Sequence, residues 1–213
     1  MKKSIKSWYY ISVYIASMFA LILAVGEWTL REKTLLISLV FIFLHFFEEF
    51  GFPGGFPWIG MKVEKNINDT NPKNWPFNQI AAMFGNVWFA VVVYLLPLFL
   101  PKVRFLTLAV ILFAFAEVLM HLIVFNIALK SWYNPGLFTS IFGLLPVSVF
   151  YLSKTFGMHI YTGTDFIIAL VWIVFNYWVA FRSPIFKRLI KMPDYEFTTE
   201  EVYRAKKYID KFK

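Results

Sequence analysis

Residues 34–59 read TLLISLVFIFLHFFEEFGFPGGFPWI. An apolar run opens the stretch, His45, Glu48 and Glu49 close it, and Gly51-Phe52-Pro53-Gly54-Gly55-Phe56-Pro57 follows. The run is long and continuous, whereas a barrel strand alternates over about ten residues, so it reads as a helix. At 3.6 residues per turn, positions i, i+3 and i+4 share a face, which puts His45, Glu48 and Glu49 together. Ionisable groups inside a membrane helix are costly, face the bundle interior and mark function. The Gly/Pro segment after them is expected outside regular helix, lying in the interface or re-entering the membrane.

Outward from this stretch, six apolar segments of spanning length appear, at about 8–26, 34–50, 76–100, 103–129, 136–153 and 163–181. Composition agrees: 59% of residues are hydrophobic, 21% aromatic and 16% charged, against roughly 25% charged in soluble domains. Of 34 charged residues, 14 fall from Arg182 onward. The expected architecture is an all-α polytopic membrane protein, a six-transmembrane-helix bundle over 1–181 with a cytoplasmic basic tail over 182–213. The first run exceeds the ~7–15 residues of a leader's apolar core and is read as a span. With both termini cytoplasmic, the inner segments carry sixteen Lys and Arg, Lys2 and Lys3 among them, against five outside. In the tail, Thr198 with Glu201 matches a capping box. Val202, Ala205, Ile209 and Phe212 then recur at helical spacing, as expected of an amphipathic basic helix on an anionic inner leaflet or of a solvated tail. The positive charge thus needs no nucleic acid, and no nucleic-acid motif is present. Without cysteine, disulfides, thiolate metal sites and cysteine nucleophiles are excluded.

The fourth segment adds Glu117 and His121 at i, i+4. In the expected topology the second and fourth helices run in the same direction, so the two groups lie at similar depth. Three carboxylates converging in low dielectric repel unless protons or cations join them. A divalent metal held by His45, Glu48, Glu49, Glu117 and His121 is the simplest account, and N/O ligation suits zinc, iron or manganese better than copper. The set resembles di-iron bundle sites built on Glu-x-x-His, with one motif reversed and one carboxylate short, so mononuclear and dinuclear sites stay equally open. Around it, Asn78, Asn86, Asn126, Tyr133, Asn134, Thr139 and Asn176 are candidates to orient ligands or touch substrate. Taken singly, each amide is more simply a helix cap or backbone partner.

The segment His45-Phe46-Phe47-Glu48-Glu49 resembles the signature of the HXXEE-domain family of membrane proteins. The Glu117–His121 pair and the Tyr133-Asn134-Pro135-Gly136 turn are consistent with it over about residues 35–180. The resemblance implies that the motif defines the site; it implies no substrate or metal.

Three functions compete. A membrane metalloenzyme would act on a lipid or other apolar substrate from the cytoplasmic leaflet, as a hydrolase with zinc or an oxidase or hydroxylase with iron, with Glu48 or Glu49 as general base. The protease pattern His-Glu-x-x-His is absent, and three histidines are too few for a histidine-rich desaturase. A transporter or proton-coupled carrier would use the same cluster, but no internal repeat is evident. A structural subunit would use it to lock helices together. The composition suits a bacterial or archaeal plasma membrane, and self-association is left open.

Overall fold

The computed structural model describes residues 5–213, and these form helices with no strand among the described residues. Lys2 and Lys3 lie outside them. In chain order the helices are α1 (Trp8–Val25), α2 (Leu30–Phe50), α3 (Phe56–Glu64), α4 (Gln79–Phe99), α5 (Arg104–Leu129), α6 (Leu137–Met158), α7 (Gly163–Arg182), α8 (Pro184–Leu189) and α9 (Glu200–Ile209). Three of them widen into π-helix part-way: α4 over Phe89–Leu95, α5 over Leu119–Phe125 and α6 over Ser140–Leu144.

Five helices are long and apolar enough to cross a membrane: α1, α4, α5, α6 and the α7–α8 unit Gly163–Leu189. The sequence leads one to expect six, and α2 makes the difference. It is 21 residues long, but Arg31, Glu32 and Lys33 stand near its start and Glu48 and Glu49 near its end. Its place in the bundle explains that composition. Leu35, Leu39, Ile42, Phe46 and Phe50 are buried, and so are His45, Glu48 and Glu49. α2 is therefore the central helix, and the ionisable groups near its end meet protein rather than lipid. α1 lies along one side of it, with Trp8 against Phe46 and Phe50 and Phe19 stacked on Phe43. Trp8, Tyr9, Trp75 and Tyr151, which near segment ends suggest an interfacial belt, are buried packing residues.

Hydrogen bonds align the helix ends. The Arg31 guanidinium donates to the Pro97 carbonyl at 2.9 Å, joining the start of α2 to the end of α4. Arg104 reaches the Ile160 carbonyl and Asp165, joining the start of α5 to that of α7. At the opposite end Asn78 caps α4 by accepting from the Ala81 N–H and donates to the Leu189 carbonyl of α8. The later turns of α2 and α5 therefore share one end of the bundle.

Two expectations about the connecting segments change. The Gly/Pro stretch turns over Gly51–Gly55, but Phe56 and Pro57 already belong to α3, because proline in a first turn forfeits no helical hydrogen bond. The tail does not form the capping box: α9 starts at Glu200, and Thr198 contributes only its carbonyl, to the Glu201 N–H. Nor does its apolar face lie on a leaflet or in solvent. Val202, Ala205 and Ile209 are buried in the core with α9 packed on α3, while Phe212 stays partly exposed. The reason is the turn itself, whose backbone polar groups need partners. Glu201 accepts from the Gly55 N–H at 3.1 Å, Arg204 donates to the Gly51 carbonyl, and the Tyr208 hydroxyl donates to the Gly54 carbonyl. Gly55 sits at φ +91°, and a Cβ there would come within 2.6 Å of the Tyr208 hydroxyl oxygen. Only glycine allows this approach.

Burial, opposed by Arg204 and the Gly55 N–H and reinforced by Glu200, raises the Glu201 carboxyl from 4.5 to about 7; Tyr9 and Tyr208 also face it. Since the folded value is the higher one, the contribution of Glu201 to docking is complete below about pH 4.5 and is lost as pH rises through about 7, a difference of about 3 kcal/mol at most. Amide protection factors over residues 200–209 should therefore fall between about pH 5.5 and 8.5. In Glu201→Gln they should stay flat.

Candidate metal centre

The later turns of α2 and α5 put four ligand-type atoms around one point. His45 Nε2 lies 3.6 Å from Glu49 Oε1 and 3.6 Å from Glu117 Oε2. His121 Nε2 lies 3.5 Å from each of the same two oxygens. Both imidazoles and Glu49 are buried, and Glu117 keeps 19% side-chain exposure toward a cavity. Ligand atoms about 2.1 Å from a tetrahedral ion stand ~3.4 Å from one another. The four imidazole–carboxylate spacings are close to that value, and His45, Glu117 and His121, whose ligand atoms lie within 4.8 Å of one another, form a group able to hold a metal ion, with Glu49 beside it.

The hydrogen bonds behind the rings decide what those rings present. His45 Nδ1 is 2.9 Å from the Thr139 hydroxyl, which gives its own proton to Glu48 Oε2 at 2.6 Å. Thr139 must therefore accept, so the proton of a neutral His45 sits on Nδ1. His121 Nδ1 is 2.6 Å from Asn134 Oδ1. The Asn134 amide donates to the His121 carbonyl and to Asn126 Oδ1, both at 2.7 Å, which fixes its orientation and makes Oδ1 the acceptor. In the neutral rings both Nε2 atoms thus face the two carboxylates with lone pairs. With the rings neutral, two ring nitrogens and two carboxylate oxygens converge, and either a proton or a cation between them relieves their repulsion.

Glu48 is engaged elsewhere, which corrects its expected place among the ligands. Oε1 accepts from the Tyr133 hydroxyl and the Phe138 N–H, and Oε2 from the Thr139 N–H and hydroxyl, at 2.6–3.1 Å. The carboxylate caps the first turn of α6, where free N–H groups and the helix dipole favour an anion. It also weakens the Tyr133 phenol as an acid: burial, then the Glu48 charge, push that hydroxyl well above its ordinary range. Gly136 completes the turn at φ +99°, and a Cβ on it would collide with the His121 ring.

The other amides divide. Asn126 supports Asn134. Asn86 donates to the Ala82 carbonyl and lines the cavity. Asn78 and Asn176 are structural: Asn176 Oδ1 accepts from the Trp88 indole at 2.9 Å and so joins α7 to α4. The cavity itself, about 400 Å³, opens beside the cluster and is walled by Phe46, Phe56, Phe89, Phe113 and Ile173. It contains two charged residues that the sequence did not single out, Glu64 and Lys65 at the end of α3. Glu64 is exposed and borders the cavity. Desolvation raises its carboxyl, with Lys65 opposing and Glu49 and Glu117 adding to the rise. Their signal was hidden because they follow the Gly/Pro break and read as a cytoplasmic loop.

A family model described as a protein of unknown function with HXXEE motif matches residues 36–151. The chain belongs to the HXXEE family. Here the HXXEE motif is His45-Phe46-Phe47-Glu48-Glu49, and the matched region holds the complete cluster together with Asn134, Gly136 and Thr139. It stops short of residue 180, leaving α7, α8 and α9 outside. Within the motif the second glutamate faces the cluster and the first caps a neighbouring helix. No curated protein and no solved structure matches the chain.

Glu48→Ala removes the partner of four donors and should lower unfolding stability by about 2–3 kcal/mol, measured by denaturant titration in detergent. Gly136→Ala should also destabilise, and should shift the His121 ring resonances, because relief of the clash requires the ring to move.

Proposed function

We propose that this protein is an integral membrane metalloenzyme whose His45, Glu49, Glu117 and His121 hold one divalent cation, zinc or iron, and which acts on a lipid or other apolar substrate entering from the cytoplasmic leaflet. The observation that carries the reading is the convergence of two imidazole Nε2 atoms and two carboxylate oxygens, each nitrogen 3.5–3.6 Å from each oxygen, with both Nδ1 atoms hydrogen-bonded to Thr139 and Asn134. Since Glu48 is taken up in the α6 cap, the donor set suits one ion rather than two. A bound cation would supply Lewis acidity toward an ester, amide or phosphoester if zinc, and one-electron oxidation chemistry if iron.

The chain's own residues do the rest. Thr139 and Asn134 hold the imidazoles in orientation, the aromatic walls exclude water, and Glu64 is a carboxyl at the cavity able to take or give a proton. In this reading α2 is a sixth span, sheltered from lipid by α1 and the other helices, and both termini are cytoplasmic in a bacterial or archaeal plasma membrane.

Elemental analysis of detergent-purified protein after mild chelation tests the site. About one equivalent of zinc or iron is expected, lost in His45→Ala/Glu117→Ala and retained in Glu48→Gln. Thr139→Val should weaken metal affinity about 10–100-fold through loss of the His45 orientation. Folded protein without metal would overturn the reading in favour of a structural or proton-carrying network.

A further inference from the structure

The cavity beside the cluster has a second polar end. Glu64 and Lys65 line it, and Asn86 and Tyr177 stand on facing helices. Arg182, at the end of α7, lies within electrostatic range of Glu64, Lys65 and Tyr177. Two cations therefore act on the Glu64 carboxylate from a distance. Burial and the Arg182 charge push the Lys65 amine below its ordinary value, with Glu64 only partly opposing, and an anion placed between the two cations would relieve both costs. The chain then breaks at Ser183, where Pro184 starts α8, and Phe186 of α8 folds back over the cavity between Phe77 and Phe181. The same short helix carries Lys187 and Arg188, both exposed. Basic residues thus border this end of the cavity around Glu64, while the wall beyond it is aromatic and aliphatic. Glu64 is in electrostatic range of Lys65 and Arg182 on one side and of Glu49 and Glu117 on the other, so the two polar ends of the cavity are near neighbours.

We propose that the cavity binds an amphiphile with an anionic phosphate or carboxylate head group, held by Lys65 and Arg182, with its apolar part along the phenylalanine wall. The bond presented to His45, Glu49, Glu117 and His121 then lies close to the head group rather than at the far end of the chain; this last point rests on the metalloenzyme reading. Surface potential favours the same class, since basic residues at a membrane face concentrate anionic lipid.

Native mass spectrometry of the full detergent-purified chain tests this, with phosphatidylglycerol, phosphatidylcholine of the same acyl chains, and glycerol 3-phosphate as probes. Phosphatidylglycerol should bind about 10-fold more tightly than phosphatidylcholine, and glycerol 3-phosphate far more weakly than either. Lys65→Gln/Arg182→Gln should erase the preference, whereas Lys187→Gln/Arg188→Gln should keep it. Lys65→Arg, which keeps the charge, should also keep it, and this separates lost charge from lost fold. Equal binding of the two lipids, or a preference that survives Lys65→Gln/Arg182→Gln, overturns the proposal. Glycerol 3-phosphate binding as tightly as phosphatidylglycerol also overturns it, because the site would then take a soluble anion. Metal content is read from the same samples. A normal metal complement without lipid preference removes this inference alone, and lipid preference without metal removes the metalloenzyme reading while the head-group site stands.

Discussion

The Glu48 carboxylate, with its four hydrogen bonds to Tyr133, Phe138 and Thr139, is the interaction on which the candidate centre depends. It anchors the start of α6 to the end of α2. In doing so it fixes the direction of the Thr139 hydroxyl, which leaves that oxygen to accept from His45 Nδ1 and turns Nε2 inward. One charged cap therefore sets a helix position and an imidazole orientation together. Asn134 plays the matching part for His121 from the turn that leads into α6. Both supports come from a single connection, residues 131–139, so the α5–α6 turn acts as the backing plate of the cluster.

Polarity of this kind is tolerated in an apolar bundle because α2 is enclosed. Its buried residues include two of the thirteen acidic groups of the chain and one of its three histidines, each met by protein donors, acceptors or the neighbouring cluster. The π-helical stretches gather in the helices around them: one contains His121, one follows Thr139, and one carries Phe89 against Phe113. Such widened turns recur at functional sites, where an inserted residue re-aims side chains. At the same end of the bundle, α9 closes over the Gly51–Gly55 turn, so the backbone just beyond the motif is held from outside by Glu201, Arg204 and Tyr208.

Much of this could be read from residues alone. The continuous apolar runs gave the helices to within a few positions, since lipid leaves little freedom in how backbone groups are satisfied. Helical spacing paired His45 with Glu49 and Glu117 with His121, and the shared direction of two helices placed the pairs at one depth. Spacing could not separate Glu48 from Glu49. Positions i+3 and i+4 share a face to within a fraction of a turn, and only the arrival of the α6 N-terminus, about 90 residues downstream, takes one carboxylate and leaves the other. The tail failed for a related reason: an amphipathic pattern shows that one face seeks burial but not what covers it.

The sequence by itself determined a helical, membrane-type chain, the residues able to ligate an ion, and the family. Tertiary structure decided which of those residues meet, which partner each histidine Nδ1 finds, where Glu64 and Lys65 stand, and what the last helix packs upon. The division is physical. Hydrophobicity and helical period are local properties written into consecutive residues, whereas ligand geometry and hydrogen-bond direction depend on groups far apart in sequence and exist only once the helices have packed.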